Sequence, residues 1–179
     1  ITFTKVGIYK FTVTERNTVQ GIVNDEDTVR DVTVNVTDNG EGKLVASVVY
    51  ENGTATNAKF TNTYKVKPTY AEVKVKKTVD TGVFDGFDAT TVAGKFTFTL
   101  EANDHIYMPE GAVDGKISVQ SDGSLITEKT FGSITFDKPG TYEYEIREIP
   151  GILEHITYDD DYYKVSVEVK DNKGQLEVT

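Results

Sequence analysis

An all-β fold, built from antiparallel sheets packed as a sandwich, is predicted by three observations. Threonine, valine, tyrosine and phenylalanine are abundant while leucine, alanine and methionine are scarce, which is the vocabulary of strands. Short runs alternate apolar and polar residues, as strands with one buried and one wet face do. Turn signals fall between those runs. Of the 179 residues, 37% are apolar and 27% charged, enough apolar side chain to build a core and too much for a disordered chain.

In chain order, the first strand puts Tyr9, Phe11 and Val13 inward, followed by Glu15 on the same parity. Val32, Val34 and Val36 alternate with Thr33 and Asn35, and Asp38-Asn39-Gly40 turns the chain. Asn52-Gly53 reads as the next turn. Lys59–Tyr64 puts Phe60 and Tyr64 on one face with Asn62 between them. Lys65-Val66-Lys67-Pro68 reads as a linker, because proline interrupts a ladder. In Glu72–Asp80, Val73, Val75 and Val79 share a face that also carries Lys77, while Lys74 and Lys76 face water. The stretch Val83–Val92 is ambiguous, and Met108-Pro109 reads as an irregular loop. Phe96, Phe98 and Leu100 alternate with Thr97 and Thr99, and Asp122-Gly123 and Pro139-Gly140 read as turns. Tyr142, Tyr144, Ile146 and then Glu148 share an inward parity, with Glu143, Glu145 and Arg147 outward. Val165, Val167 and Val169 form the last clear run before a turn at Asp171-Asn172.

An internal repeat reorganises this reading. ITFTKVGIYKFTVTE at Ile1–Glu15 aligns with ITFDKPGTYEYEIRE at Ile134–Glu148, and TVNVTDNGEGKL at Thr33–Leu44 aligns with SVEVKDNKGQL at Ser166–Leu176. The expected organisation is the back part of one module at 1–64, a linker at 65–68, and a second module lacking its last strand or strands at 69–179. A chain that starts in mid-pattern, with no signal peptide, is expected to be a stretch of a longer tandem array.

Several function classes are excluded. Cysteine is absent, so there is no disulfide scaffold, thiolate metal site or cysteine nucleophile. His105 and His155 are the two histidines, too few for a multi-histidine zinc site. The net charge of −10 comes without a basic patch, which argues against nucleic acid or an anionic membrane surface as partner. No apolar run is long enough to span a bilayer. Asp159-Asp160-Asp161 matches no calcium-loop spacing and, with Asp25-Glu26-Asp27 at a similar place in the first copy, reads as a turn feature. No metal or cofactor is implied, and no triad order or phosphate loop appears.

What remains is three polar residues on apolar faces: a lysine, a glutamate and an asparagine. A bland explanation is an inward salt bridge with the asparagine as hydrogen-bond donor. The chemical alternative is a one-time reaction. An amine taken out of water favours its neutral, nucleophilic form. A protonated glutamic acid beside it can polarise the asparagine carboxamide and shuttle the proton. The product is an amide between the two side chains, with loss of ammonia. Tyr142, Tyr144, Phe11 and Phe60 are expected to form core that also desolvates the site.

The pattern F-T-F-T-L, I-T-F-x-K-P-G-T-Y-x-Y-x-I-x-E, I-T-Y-D with the valine run, and F-T-N-T-Y resembles the streptococcal-type pilin isopeptide-linkage domain of Gram-positive major pilins and repetitive surface adhesins. The resemblance implies immunoglobulin-like, Cna B-type-like sandwich modules in tandem. It also implies that Lys77 and Asn62 are cross-linking residues, that Glu148 and Glu15 are catalytic, and that turnover catalysis is absent. The implied role is a shaft module of a pilus or fibrillar protein, outside the cell and anchored to the wall. The alternative is an adhesin domain holding a host ligand in its loops. A sortase signal and a pilin lysine motif, which would separate the two, are not seen in this stretch.

No single module here carries all three residues. The six residues Lys65–Tyr70 between the Asn62 and Lys77 strands reach roughly 20 Å at ~3.3 Å each, short for a return along a sandwich. Closure within one chain is therefore not expected. Closure between copies is, through strand complementation that builds head-to-tail fibres.

Overall fold

The computed structural model describes all residues except 17–18, 52–53, 55, 83–87 and 103–106. The turn expected at Asn52-Gly53, His105 and half of the ambiguous 83–92 stretch lie outside the described residues. The chain divides into two compact units, Ile1–Lys65 and Val66–Thr179.

The first unit holds β1 (Gly7–Thr14), β2 (Ile22–Val23), β3 (Val29–Asp38), β4 (Leu44–Tyr50) and β5 (Thr63–Tyr64). They form an antiparallel sheet in the order β1-β3-β4 and a separate β2-β5 pair. Alternation along β3 buries Arg30, Val32, Val34 and Val36 on one face. The turn into β4 is built by its side chains: Asp38 Oδ1 accepts from the Gly40 amide and Asn39 Oδ1 from that of Glu41. On β1, Tyr9 and Phe11 are half-buried as expected, but Val13 is exposed. Among the described residues β1 has one ladder neighbour, and Val13 stands opposite Arg30, past the valines opposite Tyr9 and Phe11.

The second unit holds β6 (Thr69–Thr78), a 3-10 turn at Ala89–Val92, β7 (Thr97–Ala102), β8 (Lys116–Gln120), β9 (Ile126–Phe136), β10 (Gly140–Ile149), β11 (Tyr162–Asn172) and β12 (Gln175–Val178). One sheet has the order β12-β11-β10-β7-β8 and the other pairs β6 with β9, all antiparallel. Val73, Ile134 and Phe136 from the smaller sheet meet Leu100, Tyr144, Ile146 and Val169 from the larger in one core. This is the antiparallel sandwich that the alternation predicts.

Two turns differ from expectation. Asp171-Asn172 remains in β11, and the hairpin closes at Lys173-Gly174, with φ of 53° and 89°. A two-residue turn of this hand needs positive φ at both central positions, which the glycine supplies for one. Asp171 contributes from the strand, accepting the Gly174 amide at 2.7 Å. Pro139-Gly140 carries the chain from one sheet to the other, since β9 pairs with β6 and β10 with β11 and β7.

The repeat is visible in the ladders. Tyr9 stands opposite Val34 and Tyr142 opposite Val167, and the two tyrosine hydroxyls donate to the carbonyls of Lys5 and Lys138. Glu15 and Glu148 thus end equivalent strands.

Candidate functional site

In the second unit, β6 keeps strict alternation, with Val73, Val75 and Lys77 inward and Lys74 and Lys76 exposed. β10 is a central strand and buries Tyr142, Tyr144, Ile146 and Glu148 in sequence. The two strands lie in opposite sheets, so their inward residues meet. Lys77 Nζ lies 2.8 Å from Glu148 Oε2, with side chains 16% and 3% exposed. The Phe96 ring centroid is 4.8 Å from the ammonium. Phe96 therefore shields the amine from water, whereas Tyr142 packs with Tyr107 and Phe136 in a separate ring cluster. The Asp159 amide donates 2.8 Å to the same Glu148 Oε2. The other oxygen, Oε1, is buried and has no hydrogen-bond partner among the described residues. Beside the pair runs a groove of about 300 Å³ lined by Val75, Phe98, Ile146 and Val165. Among the described residues β6 has β9 as its one ladder neighbour, while the chain entering it bridges to β12, with the Lys67 amide donating to the Gly174 carbonyl and the Leu176 amide to that of Lys67.

In the first unit, Asn62 Nδ2 donates to Glu15 Oε1 at 2.7 Å. Its carbonyl Oδ1 accepts the Asp25 amide at 3.2 Å. An amide N–H can only donate, so the carboxamide oxygen faces Asp25 and its nitrogen faces the glutamate. Glu15 Oε2 is buried and has no partner among the described residues. Asn62 itself is exposed rather than inward on an apolar face. Its segment joins a ladder only at Thr63–Tyr64, opposite Ile22–Val23, so strand parity does not control residue 62.

One unit sets a lysine and the other an asparagine against an equivalent glutamate, and each glutamate keeps one buried oxygen unsatisfied. Leaving such an atom unpaired costs about 1–3 kcal/mol.

Arg30 shares the parity of Val32, Val34 and Val36, and this was the clue to its burial. It bonds Asp25 at 2.9 Å and Asp27 at 3.3 Å, donates from Nε to the Lys59 carbonyl, and lies over the Phe60 ring. Phe60 and Phe11 serve different neighbours, since Phe11 packs on Phe3. The acidic turns are alike: Asp25 Oδ1 accepts from the Asp27 amide and Asp159 Oδ1 from that of Asp161. Hydrogen bonds from the Thr61 amide and Arg30 hold the Asp25 carboxyl below its ordinary range. Those from Tyr163 and Asp161 do the same for Asp159. The Asp159–Asp161 carboxylates cluster within 4.8 Å, with Asp159 engaged inside its own turn.

Together these features define an antiparallel β-sandwich protein whose units each set a lysine or an asparagine against a glutamate that keeps one buried oxygen. The chain belongs to the FctA family, the Spy0128-like isopeptide containing domain, whose match covers residues 1–65 and 73–179. Glu15, Asn62, Lys77 and Glu148 all fall in the matched segments. Among solved structures, it is similar to the major pilin protein T3.2 of Streptococcus pyogenes serotype GAS13637. The identity is 19% over 98% of this chain and 67% of that chain, with a TM-score of 0.30. No curated protein matches the chain.

Proposed function

We propose that the chain is shaft material of a Gram-positive pilus or fibrillar surface protein, locked by amide bonds that its own side chains form. The observation that carries this is the pair of half-sites: Lys77 on Glu148, Asn62 on Glu15, each glutamate with a free buried oxygen. A lysine amine and an asparagine carboxamide meeting at one glutamate would complete the set.

The reaction follows from the groups. Glu148 takes a proton from the Lys77 ammonium, and the freed Nζ attacks the asparagine Cγ. The Cγ–Nζ bond forms and the Cγ–Nδ2 bond breaks. The protonated glutamate gives that proton to Nδ2, which leaves as ammonia, and then takes the second proton that Nζ sheds as it becomes an amide nitrogen. The Nδ2 contact with Glu15 supports the leaving-group part of that role. Each bond is made once, so the chain carries no turnover activity in this reading.

We further propose that a lysine of one module meets an asparagine from another copy or a neighbouring module, on a strand added beside the Lys77 end of β6, giving head-to-tail fibres outside the cell. Denaturing electrophoresis with intact mass measurement tests this. The expected result is covalent species, each lighter than its parts by one ammonia per bond, that vanish with Lys77→Ala or Asn62→Ala. Monomer alone, at full calculated mass, would refute it.

A further inference from the structure

In the first unit, four consecutive residues of the Asn62 segment are gripped by two residues, Arg30 and Asp25. Arg30 Nε takes the Lys59 carbonyl at 2.9 Å, and its guanidinium covers the Phe60 ring at 4.7 Å. Asp25 Oδ2 takes the Thr61 amide at 2.8 Å. The Asp25 amide meets Asn62 Oδ1 at 3.2 Å. Arg30 is only 5% exposed, so its charge is held by these partners rather than by water. The last of these contacts bears on chemistry. Attack on Cγ puts negative charge on Oδ1, the atom that faces the Asp25 N–H. The glutamate, on the nitrogen side, serves the leaving group instead.

The second unit holds the same device without a carboxamide among its described residues. Asp159 makes the same turn with the amide two residues on. By ladder register Tyr163 stands where Arg30 stands, and its hydroxyl donates to Asp159 Oδ2 at 2.7 Å, as Arg30 does to Asp25 Oδ2 at 2.9 Å. The Asp159 N–H rests on Glu148 Oε2, the oxygen that also takes Lys77. Glu148 Oε1 is the buried free oxygen. An entering carboxamide would place its nitrogen on Oε1 and its oxygen on the Asp159 N–H, repeating the contacts of Asn62.

We propose that the main-chain N–H of this aspartate, Asp25 in the first unit and Asp159 in the second, is the oxyanion donor of the cross-linking reaction, with Arg30 and Tyr163 as the positioning residues that aim it. This rests on the lysine–asparagine reaction proposed above and adds the group that stabilises its charge. Removal of one such donor slows related reactions about 10²–10³-fold.

The test uses the full chain with Asn62→Ala, so that Lys77, Glu148 and Asp159 are intact, and a synthetic peptide of residues 57–67 as the asparagine source. The readout is the rate of appearance of chain plus peptide minus ammonia. Affinity is measured separately with a peptide carrying alanine at position 62. Asp159→Pro removes the N–H, and the rate is expected to fall about 10²–10³-fold at similar affinity. Asp159→Asn keeps both the N–H and the Oδ1 acceptor and should retain most of the rate. Tyr163→Phe loosens the aim without touching the turn, and a slowing near tenfold at unchanged affinity is expected; it decides the matter if the proline variant does not fold. Parent rates in folded Asp159→Pro, or in Tyr163→Phe where proline does not fold, overturn the donor role and leave the lysine–asparagine reaction standing. No adduct with the parent chain overturns both.

Discussion

Lys77 Nζ and Glu148 Oε2 form a 2.8 Å ion pair between the two sheets of the second unit, under the Phe96 ring. The pair is placed by two independent regularities, the alternation of an edge strand and that of a central strand. A buried pair of this kind adds little net stability compared with apolar replacements, but removing one member strands the other. Glu148, 3% exposed at its side chain, has most to lose.

Lys77→Met is therefore expected to cost about 3–5 kcal/mol in urea unfolding, measured on unlinked chain. The double variant Lys77→Met/Glu148→Gln should recover much of that loss, because no charge is left buried. Equal stability of single and double variants would show that Glu148 finds water when Lys77 is gone.

The difference between Glu148 and Asn62 shows what could be read before the fold was known. Glu148 was legible because β10 is long, central and alternates without a break. Asn62 was singled out by residue type and neighbours, but the inward direction expected of it does not hold: it is exposed, since its segment pairs over only two residues. Arg30 was overlooked because an arginine before a valine run suggests a solvated strand end, whereas backbone carbonyls and two carboxylates satisfy it in place. The contacts of the Asp25 amide had no signature at all, because every residue but proline has one.

Arg30→Lys should weaken the grip on residues 59–62 although the charge is kept. A lysine ammonium has no planar fork to reach a carbonyl and a carboxylate together or to lie flat on Phe60. We expect a loss of about 1.5–3 kcal/mol, as for hydrogen bonds to charged groups. Hydrogen exchange at the Thr61 amide should accelerate with it. Unchanged protection there would mean that Asp25 holds the segment alone.

Acid should release the same grip. The Asp25 carboxyl is held below its ordinary value by the Thr61 amide first, then by Arg30 and the Asp27 amide. A lowered folded value means that the contribution is fully present above the ordinary carboxylate value. It is lost as pH falls through the depressed one. Thr61 amide protection followed from about pH 6 to about pH 2 should decline late, below the ordinary range, and Asp25→Asn should remove that step. A step at or above the ordinary carboxylate value would assign the acid sensitivity to another group.

Glu148→Gln separates folding from chemistry. Glutamine matches the shape of glutamate and can still accept from Lys77 and from the Asp159 amide, so the unit should fold and keep its core. It cannot take a proton from the ammonium or return one to the departing nitrogen. Loss of such a group slows reactions about 10²–10⁴-fold, so the variant should stay unlinked over times in which the parent reacts fully. It should also melt earlier than the linked parent, because the cross-link restricts the unfolded chain much as a disulfide does, about 2–4 kcal/mol by that analogy. Glu148→Asp keeps the acid but withdraws it by one methylene, so partial linking is expected there. Intact mass over time, read beside the melting curves, checks all three. Linking of Glu148→Gln at the parent rate would remove the glutamate from the proton path and leave it as the counter-ion of Lys77.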